Sequence, residues 1–136
     1  MIFKPFGCAL ALAMIATPTI ASAKKPSRAE RYTSVEHMGL ISAMDTCLVA
    51  TAEAIGAKST EPASDIVRVV IQDREFCKKE KNDIVGYWID AAKVDHPDNT
   101  DAVLDAVTEG NDVWENLAPL QADKMRAAIL KARIQP

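Results

Sequence analysis

Two cysteines thirty residues apart, Cys47 and Cys77, constrain this chain more than any other feature. A third, Cys8, lies in an N-terminal stretch that reads as an export leader. Lys4 gives the stretch a positive start, Phe6 to Ala16 are apolar, and Pro18 interrupts the run. Ala21-Ser22-Ala23 then supplies the small residues of a signal-peptidase site, so cleavage is expected between Ala23 and Lys24. An uncleaved anchor is the alternative, but a spanning helix needs about 20 mostly apolar residues and this run is shorter. A lipid anchor fails on order, because Cys8 precedes the apolar run instead of following it. The expected location is periplasmic or secreted.

Export decides the sulfur chemistry. In an oxidising compartment two cysteines most often pair, and once Cys8 leaves with the leader only Cys47–Cys77 is possible within the chain. On the chain-entropy model, closing a loop of about 30 residues removes about 3.6 kcal/mol of unfolded-state freedom. That is a large share of the roughly 5–15 kcal/mol by which a small domain is stable. The rest of the chain has the length of one domain with one modest core. No second hydrophobic span is read from the sequence, so the cleaved form is expected to be free of the membrane.

The periodicity is helical throughout. Residues 24–33 (KKPSRAERYT) are polar and basic, and read as a flexible segment. Thr33-Ser34-Val35-Glu36 reads as a capping box opening a first helix. Along it Ile41, Met44, Leu48, Ala52 and Ile55 recur every three or four residues, the spacing of one apolar face. Gly56 ends it and AKSTEP forms a turn. Pro62 suits the first turn of a second helix, where its missing N–H is harmless. Ile66, Val70, Cys77, Ile84 and Trp88 share a stripe if that helix is continuous; a break near Asn82 would split it into 62–80 and 83–94.

The cysteine pair strains this picture. Cys47 stands about 10 residues before its helix end and Cys77 about 15 after the next begins. At a rise of 1.5 Å per residue the mismatch is roughly 7 Å, at the limit of what a disulfide spans. Cys77 also sits in a wet neighbourhood, since eight of the eleven residues from Asp73 to Asp83 are charged. Pro97 closes the second helix, and Asn99 or Thr100 can cap a third. Val103, Val107, Gly110, Trp114 and Leu117 form the seam of that third helix. Pro119 opens a fourth, with Ala122, Met125, Ile129 and Ala132 inward. The expected fold is all-α, a small four-helix bundle-like domain over 34–136 with one disulfide between its first two helices.

Charge is the most distinctive surface feature. The chain carries 16 basic and 19 acidic residues; losing Lys4 with the leader leaves 15 against 19, about −4. From Val94 to Asp123 there are eight acids and no lysine or arginine. Asp98, Asp101, Asp105, Glu109, Asp112 and Glu115 advance by three or four, which makes one stripe opposite the apolar seam. Asp101, Asp105, Glu109 and Asp112 are its centre and the candidate interaction face for another protein or a cationic ligand. The plainer expectation is that the last helix folds beside the third, and that Lys124, Arg126, Lys131 and Arg133 neutralise part of the stripe.

Other chemistries find little support. DHPDN (95–99) lacks the glycine and closing glutamate of a calcium loop, and no specific metal site is expected. His37 shares the face of Met44 and Leu48 and is read as a half-buried residue near the helix start. A pocket near His37, Met44 and Trp88 is the alternative reading, a small-molecule or metal carrier. No nucleophile elbow, glycine-rich phosphate loop or His-Glu-x-x-His sequence occurs. Catalysis by two carboxylates needs environments that separate their pKa values, and Asp101 and Asp105 both face water, so no enzyme and no cofactor is expected. Net acidity and export disfavour nucleic acid.

One cysteine in each of two adjacent helices behind a leader resembles small exported bacterial helical proteins, acid-stress chaperones of the periplasm among them. From the acidic face and the absence of catalytic motifs, the expectation is a small exported binding or interaction protein, with a stress- or envelope-related role at its narrowest.

Overall fold

The structure, a computed structural model, describes residues 24–135. The leader expected over residues 1–23, its cleavage point and Cys8 lie outside the described residues. Within them every regular element is helical: α1 (Arg28–Tyr32), α2 (Val35–Gly56), α3 (Ala63–Gln72), α4 (Lys78–Asp95), α5 (Thr100–Leu117) and α6 (Ala122–Ile134). A 3-10 turn over Ala118–Gln121, with Pro119 in its first positions, leads into α6.

The all-α expectation holds, but the four-helix count does not. The second expected helix is two helices, α3 and α4, separated by a turn over residues 73–77 and not at Asn82. Asp73 is already extended (φ −75°, ψ 120°). Cys77 is left-handed (φ 51°, ψ 30°) in the N-cap position of α4, the one non-glycine with positive φ among the described residues. A side chain in that region is uncommon. Here the bridge to α2 holds it. The charged run hides the turn because Arg, Lys and Glu are all good helix formers.

The break resolves the length mismatch. With α4 starting after Cys77, the cysteine no longer lies far up a straight rod. Cys47 and Cys77 stand at bonding distance (S–S 2.11 Å) with Cα atoms 5.9 Å apart, inside the range a disulfide needs. The bridge therefore joins α2 to the start of α4, where the expectation placed it between the first two helices.

Two helix pairs make the body: α4 runs along α5, and α2 runs along α6, with α2 also touching α3 and α4. The core is where their apolar faces meet. Met44, Leu48, Ala52, Ile66, Val70, Ile84, Trp88, Trp114, Met125 and Ile129 are buried, which are positions the periodicity placed inward. On α5 the buried face is Ala106, Gly110, Val113 and Trp114, with Val103, Val107 and Leu117 only partly covered. Gly110 explains the closeness of α4 and α5: a Cβ there would lie 2.6 Å from the Val85 Cα. Backbone cannot yield as a side-chain tip can, so glycine is required, and α5 passes through it without a break.

α2 is long and apolar enough to cross a membrane by length and composition, with a mean hydropathy of 1.4 over its best window. In this fold one face of it, His37, Met44, Leu48, Ala52 and Gly56, is buried, while much of the opposite face is exposed. Its N-cap is Ser34, whose hydroxyl accepts from the His37 N–H at 3.1 Å; the capping box expected at Thr33 and Glu36 is displaced by one residue and lacks its glutamate arm. A complete capping box stands upstream, where Ser27 and Glu30 satisfy each other's backbone N–H groups. It starts α1 inside the segment expected to be flexible.

Candidate binding face

The basic segment before α2 docks on the acids of α4 and α5. Arg31 pairs with Asp95 at 2.6 Å, and both side chains are largely covered. Lys25 donates to the Asp95 backbone carbonyl at 2.8 Å. Arg28 forms an ion pair with Glu109, and the Tyr32 hydroxyl donates to the same carboxylate. The bond to Glu109, before simple charge attraction, holds the Arg28 guanidinium above its usual pKa. Behind α1 an aromatic cluster fixes its direction. Tyr32 and Trp88 rings are 4.8 Å apart, and His37 lies 5.2 to 5.5 Å from Tyr32, Tyr87 and Trp88. Tyr87 donates its hydroxyl to the Arg31 carbonyl at 3.1 Å.

His37 is fully buried, where partial burial was expected. Its Nδ1 lies 3.1 Å from the Tyr32 carbonyl, and its Nε2 is buried without a hydrogen-bond partner. A carbonyl only accepts, so Nδ1 carries the proton and the ring is neutral. Burial lowers the His37 pKa below its ordinary 6.5, because the imidazolium would bring a charge and a second donor into a site that answers neither. The rings of Tyr32, Tyr87 and Trp88 pack around His37, and Met44 is fully covered.

The acidic residues separate into two groups. Glu109 is bound to Arg28 and Tyr32 and is half-covered, so it belongs to the α1 contact. Asp101, Asp105 and Asp112 are exposed on α5 and take part in no ion pair among the described residues. Neutralisation by the last helix, the plainer expectation, does not occur in this arrangement. α6 lies along α2, where Lys124 pairs with Asp45 at 2.7 Å and Arg133 donates to the backbone carbonyls of Gly56, Ser59 and Glu61. Arg126 pairs with Asp123 on its own helix.

Beside the stripe, a groove of about 300 Å³ runs between α1, α4 and α5. Its floor is small and apolar, with Ala91 and Ala92 from α4 facing Ala102 and Ala106 from α5, and Trp88 closing one side. Arg28, Arg31, Asp95, Asp105 and Glu109 stand around it. Two polar atoms on its lining residues, Asp95 Oδ1 and Trp88 Nε1, are buried without a partner. Leaving such an atom unanswered costs about 1–3 kcal/mol. Sequence reasoning named Asp105 and Glu109 and placed Trp88 inward, but it missed the groove. Arg28 and Glu109 are 81 residues apart in sequence, a pairing that no local pattern announces.

No protein family, curated protein or solved structure matches this chain. Cys47, Cys77 and Glu80 have atoms close enough to surround a metal ion, but sulfurs bonded to each other are not thiolates and cannot ligate as such.

Proposed function

We propose that this chain is a small exported helical protein that acts by binding, with a cationic protein segment as its partner and the exposed acids of α5 as its contact face. The observation that carries the reading is the set Asp101, Asp105 and Asp112, exposed on one helix and in no ion pair among the described residues. Asp101 and Asp105 are four apart, and like charges at that spacing cost about 0.2–0.5 kcal/mol per pair. Only Asp101 gains from the positive helix N-terminus; Asp112 is too far along α5 for that. A partner bearing lysine or arginine would turn a standing repulsion into attraction and would speed encounter. Export is carried by the composition of the first 23 residues. Binding rather than catalysis is favoured because both Asp101 and Asp105 are exposed, with no contrast of environment to divide acid from base.

The test is reversal of Asp101, Asp105 and Asp112 to lysine, leaving Glu109 in place because it holds α1. Crosslinking in the exported compartment should recover partners with the parent protein and lose them with the triple variant. Retention of every partner by a variant whose helical circular dichroism is unchanged would overturn the reading.

A further inference from the structure

We propose that the groove between α1, α4 and α5 is an anchor pocket for one lysine side chain of the partner segment, a refinement that rests on the function proposed above. Its lining carries three carboxylates, from Asp95, Asp105 and Glu109, and two guanidinium groups, from Arg28 and Arg31. Arg28 answers Glu109 and Arg31 answers Asp95. Asp105 alone of the three takes part in no ion pair among the described residues, and it stands exposed at the rim.

The floor selects the shape of the occupant. Four alanines and the Trp88 ring offer an apolar trough, the surface on which a lysine stem lies while its ammonium stays with a carboxylate. A volume of about 300 Å³ is at the lower bound of small-molecule sites, which run from roughly 300 to 1,000 Å³. It suits one long side chain better than a whole cofactor. Two of the lining residues each hold a buried polar atom without a partner, the acceptor Asp95 Oδ1 and the donor Trp88 Nε1, the latter on a tryptophan 5% exposed. A lysine within a peptide brings the matching pair, an ammonium that donates and a carbonyl that accepts. A free amine brings only the first. The groove also shares Asp105 with the stripe, so a basic segment laid along α5 toward Asp101 and Asp112 has its lysine in position.

The experiment uses the indole N–H signals of the full exported protein, Trp88 being assigned with a Trp114→Phe variant. The probe is acetyl-Ala-Ala-Lys-Ala-Ala-amide, compared with the same peptide carrying norleucine and with n-butylamine. The lysine peptide should move the Trp88 signal and leave Trp114 unchanged. The norleucine peptide and n-butylamine should do far less. Asp105→Asn should weaken the lysine peptide about tenfold, which corresponds to about 1.4 kcal/mol. Ala102→Leu, which fills the trough and keeps every charge, should abolish the response. Equal binding of norleucine would overturn the charge argument, equal binding of n-butylamine would overturn the peptide assignment, and unchanged binding by Ala102→Leu would overturn the site. A silent Trp88 with partners still lost in the triple-lysine variant removes the groove and keeps the function. A responsive Trp88 with all partners retained by that variant does the reverse.

Discussion

α4 is fastened at both ends, and the two fastenings differ in kind. Its start is a covalent bridge from Cys77 to Cys47, made at a residue whose backbone sits in the left-handed region. Its end is a set of polar contacts, in which Asp95 takes Arg31 through its carboxylate and Lys25 through its carbonyl. The aromatic cluster around His37 braces that end from within. A covalent fastening is indifferent to salt and proton concentration and answers only to reductant. The polar one is spread over several groups, each weak, and each responsive to the solvent. The same charges also surround the groove. The end of α4 that can be tuned is therefore the end at which binding is proposed.

Removing the covalent end should have the largest effect. Replacing Cys47 and Cys77 together by serine should lower unfolding free energy by about 3.6 kcal/mol, measured by urea titration, and should free the turn over residues 73–77 to exchange its amide protons. A loss well under about 1 kcal/mol would mean that packing of α3 and α4 already fixes this corner. Next comes the largely covered ion pair: Arg31→Ala should cost about 1.5–3 kcal/mol, the range for a hydrogen bond to a charged group, and should release α1 while the bridge stays intact.

Acid should act on the same end. The His37 pKa is lowered in the folded protein relative to 6.5, so the unfolded chain takes up its proton first. His37 thus contributes stability that is complete above pH 6.5 and is lost as pH falls from there through the lower folded value. Thermal melts of His37→Phe should lose this component of the pH dependence, and an unchanged profile would place the acid response elsewhere. The smallest effect is expected from Arg28→Ala. Its side chain is 71% exposed, and exposed pairs contribute little and are screened by salt. It should leave the unfolding midpoint in place at high ionic strength.

The parts of this fold readable from sequence are those with local causes. Met44, Leu48 and Ala52, or Met125 and Ile129, advertise their burial through spacing alone, and the same spacing put Gly110 on the seam where α5 meets α4. The division of α3 from α4 was hidden because no glycine or proline marks it; the only warning was that a continuous helix left the cysteines about 7 Å out of step. α1 was missed although Ser27 and Glu30 spell its capping box, because a five-residue helix exists only through partners 64 and 81 residues away. The groove was invisible for the same reason. It is a space between three elements, and spacing along one helix describes only that helix.

The contact of Gly110 with the Val85 backbone has an effect on what the chain can tolerate. With the sulfur bridge setting where α4 begins and that contact setting its angular phase against α5, the seven residues between act as a gauge block. One residue inserted there would turn everything beyond it by about 100°. Asp95 would swing away from Arg31 and the alanine trough would rotate out from between the helices. Apart from the buried Ile84, substitutions can drift along this stretch, but its length is frozen.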